Sequence, residues 1–173
     1  MHLRGCMSRS QEFSKGVWKQ QPLIHTPDEL KDIAKENLSP HHPELGKTGD
    51  WKDPSHPGNN ALWRMGIDKE SAEGECDKAC RWVHDSLPHG SHQVIYDDHP
   101  KGWNHFVHHV PTTEGMHVVD YTQRQFNARA KFPVVEPMGK YQARQSMQQF
   151  QTMKTKNLHL YRADKEGNLD PNQ

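Results

Sequence analysis

Apolar side chains recur at helical spacing in two segments of the chain. In the first segment, three- and four-residue steps separate Leu30, Ile33, Ala34 and Leu38. The preceding Thr26-Pro27-Asp28-Glu29 is typical of a helix start with a capping box. The pattern predicts a short amphipathic helix from about Pro27 to Asn37.

The second segment predicts a helix from Cys76 to Leu87. One stripe of this helix holds small or apolar side chains: Cys76, Ala79, Cys80, Val83 and Leu87. Pro88 and Gly90 then end the helix. A free cysteine on such a stripe is most often a small buried hydrophobe, so packing alone is the simplest interpretation of both thiols.

Alternation and β-branched content predict strands at His92–Tyr96, Trp103–Val110 and Met116–Thr122. Their short connections favour an antiparallel meander. Further along, Pro133–Pro137 has the composition of an edge strand, Tyr141–Met153 carries a helical stripe, and Leu158–Tyr161 favours a last short strand. The elements together predict an α+β fold.

The second predicted hairpin constrains which residues can meet. A register in which paired residue numbers add up to 225 sets Asp120 directly opposite His105, and also His109 opposite Met116. An odd total needs an even-length loop or a bulge. A simple five-residue loop would instead place Asp120 opposite Phe106, on the wrong face.

Residues 1–60 differ in character from the rest. Met1–Leu23 is polar and predicts an arm or a short helix docked through Trp18. Four prolines and three glycines in residues 39–60 exclude a long regular element and indicate a linker. We therefore divide the chain into an N-terminal arm with one helix (1–60), a compact domain (61–163) and a frayed tail (164–173).

Composition narrows the function classes. The 173 residues are 32% hydrophobic and carry no net charge, which argues against a general nucleic-acid or membrane-surface binder. No apolar run approaches the ~18 residues of a membrane span. Three cysteines do not make a disulfide framework. We expect a cytoplasmic protein, or one exported without a classical signal peptide.

Cysteine, histidine and aspartate follow one another at positions that suit nucleophilic catalysis. Cys76 lies at a predicted helix start, where backbone N–H groups are unpaired, and Cys80 lies one turn further inside. A thiol acts as a nucleophile in its thiolate form, which a helix N-terminus or an imidazolium stabilises. This position favours Cys76 over Cys80.

Three motifs in this order resemble the papain-like and transglutaminase-like superfamily of cysteine hydrolases. They are Gly74-Glu75-Cys76 at a helix start, Asn104-His105-Phe106-Val107 in a strand, and Val118-Val119-Asp120-Tyr121-Thr122-Gln123-Arg124-Gln125-Phe126. The resemblance is strongest to compact bacterial toxin or effector domains, several of which deamidate glutamine. It covers about residues 61–163.

The resemblance implies a papain-like fold, with the catalytic helix packed on a small antiparallel sheet. It also implies Cys76 as nucleophile, His105 as general base and acid, and Asp120 as the group that orients the imidazole. The expected partners are a protein or peptide amide substrate and a cognate immunity or inhibitor protein. It implies no cofactor. Asn59 and Asn60 are candidates for the oxyanion hole.

Two other function classes stay open. Fourteen histidines is a high count, and His105, His108, His109, His117 and His99 with the two cysteines could build a zinc site. However, the chain has no His-Glu-x-x-His, and Cys76 and Cys80 have no second matching pair. A non-enzymatic interaction protein is the other alternative, because a fold does not fix a function.

Overall fold

The structure is a computed structural model that describes residues 11–14, 17–20, 24–39, 61–98, 103–148, 158–164 and 166–169. Its strands are β1 (Gln11–Ser14), β2 (Val17–Gln20), β3 (His92–Asp98), β4 (Trp103–Thr112), β5 (Gly115–Asp120), β6 (Val134–Pro137) and β7 (Leu158–Ala163). Its α-helices are α1 (Pro27–Glu36), α2 (Ala61–Arg64), α3 (Lys69–Ala72), α4 (Cys76–Val83) and α5 (Met138–Gln148).

A five-stranded antiparallel sheet forms the centre of this α+β fold, in the order β6-β5-β4-β3-β7. Strands β3 to β6 are neighbours in both sequence and space, which confirms the predicted meander. The last strand returns to pair with β3. This places β6 and β7 at the two edges, as predicted for Pro133–Pro137.

Helices pack on both faces of the sheet. On one face, Val110 and Val119 share a core cluster with Leu30 of α1 and Val83 of α4. On the opposite face, Val107, Val118 and Val134 of the sheet cluster with Tyr141 of α5. Leu30, Val83 and Tyr141 are thereby buried between their helices and the sheet, the usual way in which layered domains form a core.

Helix α1 begins and ends where the pattern predicted. Thr26 caps it, and the reciprocal contacts between Thr26 and Glu29 complete the predicted capping box. Asn37 is the C-terminal cap. Leu30 and Ala34 are fully buried and share a core cluster with Val83 of α4 and Val119 of the sheet.

Helix α4 is shorter than predicted. It ends at Val83, and the chain continues as a 3₁₀ turn over His84–Ser86. Leu87 has extended backbone angles (φ −92°, ψ 158°) because the ring of the following Pro88 disfavours the helical conformation. Helix α5 begins at Met138, three residues before the predicted start.

The N-terminal region departs from one expectation. Strands β1 and β2 form an antiparallel hairpin that pairs Phe13 with Trp18, so the predicted short helix is wrong there. The docking of the Trp18 side chain lies outside the described residues, as do the linker and the residues Asn59 and Asn60. The domain boundary near residue 60 stays a prediction.

The β4–β5 register is shifted by two residues from the predicted one. His108 pairs with Val119 and Thr112 with Gly115, so paired numbers add up to 227 and not 225. The turn is centred on residues 113–114 because Thr112 Oγ1 donates to the Gly115 carbonyl and accepts from the N–H of Glu114. Gly115 supplies the left-handed φ of +97° that this turn requires.

A shift by two residues preserves the face on which every side chain lies. His105 and Asp120 therefore share a face as predicted, but they are diagonal neighbours instead of a directly opposed pair. Continuing the observed register by one residue sets Val107 across from Asp120. Long side chains reach diagonal partners, so the predicted meeting of the two survives the wrong register.

Candidate active site

Cys76 is the first residue of α4. The preceding turn depends on Gly74, which has a φ of +74° in the region that favours glycine. The first backbone N–H groups of a helix have no partner within it and attract negative charge. Cys76 is 8% exposed, so its thiol is nearly buried at this helix end.

His105 comes from the first half of β4 and has no exposed surface. Its Nε2 atom lies 2.8 Å from Oδ2 of Asp120. The ring also lies nearly perpendicular to that of Phe126, with 5.0 Å between ring centroids. Since Nε2 is engaged by the carboxylate, Nδ1 is the ring nitrogen that faces other partners.

Asp120 ends β5 and is held by four donors. Thr122 gives its backbone N–H (2.7 Å) and its hydroxyl (3.2 Å) to Oδ1, while Tyr141 gives its hydroxyl to Oδ2 (2.8 Å). The His105 ring is the fourth. A buried carboxylate with both oxygens occupied in this way has a fixed position.

Gln125 completes the surroundings of His105. Its Nε2 atom lies 3.3 Å from His105 Nδ1 and donates to Thr122 Oγ1 at 3.2 Å. The short 3₁₀ turn over Gln123–Gln125 brings this amide back over the ring. A chain of contacts thus runs from Asp120 through Thr122 and Gln125 to the nitrogen of His105 that faces away from the carboxylate.

The charges of the site are coupled. Burial by itself lowers the pKa of His105, but the charge and hydrogen bond of Asp120, followed by a hydrogen bond and charge from Cys76, raise it to about 10. Burial likewise raises the pKa of Asp120, yet His105, Thr122 and Tyr141 bring it below its usual value. The three predicted residues are therefore brought into one interacting group.

Cys80 lies deeper in α4. Burial raises the pKa of its thiol well above the usual value, and the negative charges of Cys76, Asp120 and Asp77 act in the same direction. A thiol in such surroundings stays protonated and unreactive. These surroundings argue against Cys80 as the nucleophile, and the choice of Cys76 stays a prediction.

The other histidines of β4 have different partners. His108 Nε2 lies 3.1 Å from Nδ1 of His84, and His109 Nε2 lies 2.8 Å from the Tyr96 hydroxyl. His117 contacts the Thr112 side chain. Within the described part of the chain, no three His, Cys, Asp or Glu side chains are grouped so that they could hold a metal ion.

Three residues around Asp120 had no role in the sequence interpretation. Thr122 and Gln125 belong to the motif that carries the resemblance, so their proximity to Asp120 was visible but their contacts were not. Tyr141 lies 21 residues beyond Asp120 and contacts it only because α5 folds across the sheet. No local pattern signals this contact.

Comparisons with known proteins identify no relative. No family model, no curated protein and no solved structure matches the chain. Among the described residues, no helix is long and apolar enough to cross a membrane.

Proposed function

We propose that the chain is a cysteine-nucleophile hydrolase with a papain-like fold, acting on the amide groups of a protein or peptide. One observation carries this proposal: the buried His105 ring contacts the fixed carboxylate of Asp120 through Nε2 and interacts with Cys76 at a helix start. Thiol hydrolysis requires a nucleophile beside a base, and an orienting group on the other side of that base.

The chemistry follows from these three groups. A ring with a pKa of about 10 holds a proton at neutral pH, and thiol hydrolysis pairs such a ring with a thiolate nucleophile. The thiolate attacks the amide carbon, and the backbone N–H groups that begin α4 stabilise the oxyanion. His105 then protonates the leaving nitrogen, the C–N bond breaks, and a thioester forms on Cys76.

Water completes the cycle. His105, now neutral, takes a proton from the attacking water, and the C–S bond breaks to release a carboxylic acid and the thiolate. If the leaving group is ammonia, the reaction is deamidation of a side-chain amide; if it is an amine, the reaction is peptide cleavage. The resemblance to bacterial toxin and effector domains favours deamidation, with a protein as substrate.

The two alternatives have less support. A zinc protein needs a ligand group that the described residues do not contain, since His105, His108 and His109 each contact a different partner. A purely structural role for the cysteines explains Cys80, which is a buried helix residue. A structural role for the cysteines does not explain the buried His105–Asp120 pair, because a buried charged pair is a poor source of stability.

The test compares the two thiols of α4. We expect iodoacetamide at pH 7 to label Cys76 at least about tenfold faster than Cys80, because only Cys76 lies beside an imidazole at a helix start. Peptide mapping by mass spectrometry measures each site separately. Ammonia release and new α-amino groups from casein then distinguish deamidation from proteolysis.

Cys76→Ser should abolish the activity, whereas the matched variant Cys80→Ser should retain it. Equal labelling of the two thiols, or an activity that survives in Cys76→Ser, would contradict the proposal. A loss of activity in Cys80→Ser with an unchanged melting temperature would show that Cys76 is the wrong choice of nucleophile.

A further inference from the structure

A concave site lies along the edge strand β6. The cavity has a volume of about 680 Å³ and is lined by all four residues of β6. The other lining residues come from α1, α5 and the loop before β6, and they include Lys31, Lys35, Lys131, Lys140 and Arg144. We refer to this cavity as the β6 groove.

The two helices that border the β6 groove pack on opposite faces of the sheet. Val135 packs against the core cluster that contains Leu30 of α1, whereas Val134 belongs to the cluster that contains Tyr141 of α5. The edge of β6 therefore lies between two helical walls. Because β6 is the last strand of the sheet on this side, one of its backbone edges has no strand partner among the described residues.

The lining of the β6 groove is strongly basic. Five lysine and arginine side chains face one acidic residue, Glu136, which already forms an ion pair with Arg144. Lys35, Lys131 and Lys140 are exposed and form no salt bridge with any residue that the structure describes. Lys31 contacts the exposed Asp28 at 3.4 Å, a weak interaction in water.

The β6 groove lies next to the candidate active site. Val134, in its wall, pairs directly with Asp120. The loop that continues from Phe126, which contacts His105, supplies the lining residues from Asn127 to Pro133. A chain bound along β6 would therefore be held one strand away from the carboxylate that orients His105.

We propose that the β6 groove binds an extended acidic segment of the protein substrate, and this inference rests on the proposed hydrolase function. The strand edge offers backbone hydrogen bonds to an extended peptide, and the flanking lysines attract its carboxylates. A single strand of nucleic acid would also meet the positive charge, but single-strand sites add aromatic side chains on which the bases stack. Phe132, the one aromatic side chain in the lining, already contacts Tyr121 and Arg124.

The test measures binding in the full chain carrying Cys76→Ser, which removes turnover. The probe is a fluorescein-labelled ten-residue peptide of alternating Glu and Val, followed by fluorescence anisotropy. We expect it to bind more tightly than a Lys-Val peptide of equal length. Lys131→Glu with Lys140→Glu should weaken binding about tenfold or more, since two charges are reversed.

Lys69→Glu is the matched control, because Lys69 is an exposed lysine on α3 outside the groove. It should leave the affinity unchanged. Acidic and basic peptides that bind equally, or an affinity that Lys131→Glu with Lys140→Glu leaves intact at an unchanged melting temperature, would overturn the inference. The inference would also be overturned if a ten-nucleotide single-stranded DNA bound more tightly than the acidic peptide and its binding were lost in Lys131→Glu with Lys140→Glu.

Failure of this inference is distinguishable from failure of the proposed function. Peptide binding does not use the sulfur of Cys76. Selective peptide binding by a chain that shows no hydrolysis would therefore support the binding role of the β6 groove and contradict the hydrolase function. Fast labelling of Cys76 and hydrolysis without selective peptide binding would support the hydrolase function and contradict the binding role of the groove.

Discussion

Strand β4 places histidines in two contrasting environments. His105, His108 and His109 are all buried, with exposed fractions of 0%, 1% and 6%. Burial lowers the pKa of each ring, and with the charges of neighbouring histidines it brings His108 to about 3 and His109 to about 4. His105 instead has a pKa of about 10.

The difference between His105 and the other two histidines comes mainly from one carboxylate, with a smaller contribution from Cys76. Burial is nearly equal, but only His105 lies beside Asp120, whereas His108 has His84 and His109 has Tyr96 as its partner. A buried imidazole without a carboxylate partner is a neutral packing residue at pH 7, and one with a carboxylate partner carries charge. Partner identity, and not burial, therefore separates a candidate catalytic histidine from its neighbours.

Removal of the ring should have the largest effect. We expect His105→Gln to lower turnover roughly 10³-fold, within the usual contribution of general acid–base catalysis. Alkylation of Cys76 at pH 7 should slow as well, because no imidazolium remains beside the sulfur. Pseudo-first-order rates of iodoacetamide labelling, followed by mass spectrometry, measure this.

His108→Gln and His109→Gln are the matched variants, since each keeps a polar atom near the position of Nε2. Both should leave turnover and alkylation within a few-fold of the parent. If either variant slows Cys76 alkylation and His105→Gln does not, the wrong histidine has been assigned as the base.

Asp120→Asn should give His105 surroundings like those of His108 and His109, with no carboxylate beside the ring. Without the carboxylate, burial dominates and the pKa of His105 should fall from about 10 to below its usual 6.5. Turnover should drop roughly 10²-fold, because the imidazole remains but loses its orientation. NMR titration of the His105 ring measures the pKa directly.

Asp85→Asn is the control, an exposed acidic residue beyond the C-terminal end of α4. It should change neither the titration nor the rate. A His105 ring that still titrates near pH 10 in Asp120→Asn would show that another group holds the proton.

Acid should destabilise the fold through the buried ring of His108. The pKa of His108 is lower in the folded state than in the unfolded chain, so the unfolded state binds more protons between pH 6.5 and about 3. The free energy of unfolding should therefore fall with decreasing pH across this window, by about 2–3 kcal/mol for His108 alone between pH 7 and pH 4. Urea denaturation at several pH values measures it.

His108→Gln should flatten that dependence, since glutamine does not titrate. Asp120 also loses its stabilising contribution when pH falls, because its pKa is lowered in the folded state. The part of the slope that remains in His108→Gln belongs to Asp120, His109 and other groups. An unchanged slope in this variant would mean that His108 is protonated in the folded state.

Several of these features were predictable from the sequence because local patterns fix them. The capping box determines α1, and short turns between β-rich segments determine the meander. The order Cys76, His105, Asp120 identified the residues that the fold brings together. Their catalytic roles stay predictions until activity is measured.

Other features depend on contacts that no local pattern encodes. The β4–β5 register was wrong because Pro111 and Thr112 were assigned to the turn, whereas the Thr112 side chain holds them in the strand. The contact of Tyr141 with Asp120 needs α5 to cross the sheet. The opposite pKa shifts within β4 likewise require three-dimensional neighbours, since His105 and His108 look alike in sequence.

Two tyrosines on the same face of the sheet contact the two kinds of histidine site, one through Asp120 and the other through His109. Tyr141 donates its hydroxyl to Asp120 at 2.8 Å, and Tyr96 contacts His109 at the same distance. The two rings also touch, with 5.6 Å between centroids, so Tyr141→Phe and Tyr96→Phe remove one hydroxyl each from one packed pair. Either loss should cost about 1–2 kcal/mol of unfolding free energy, the usual effect of leaving a buried partner unpaired. Only Tyr141→Phe should also lower turnover, by about tenfold, because Asp120 loses a donor that fixes its Oδ2 beside His105. Chemical denaturation and steady-state rates measured on both variants check this, and equal rates in the two would remove Tyr141 from the positioning of the site.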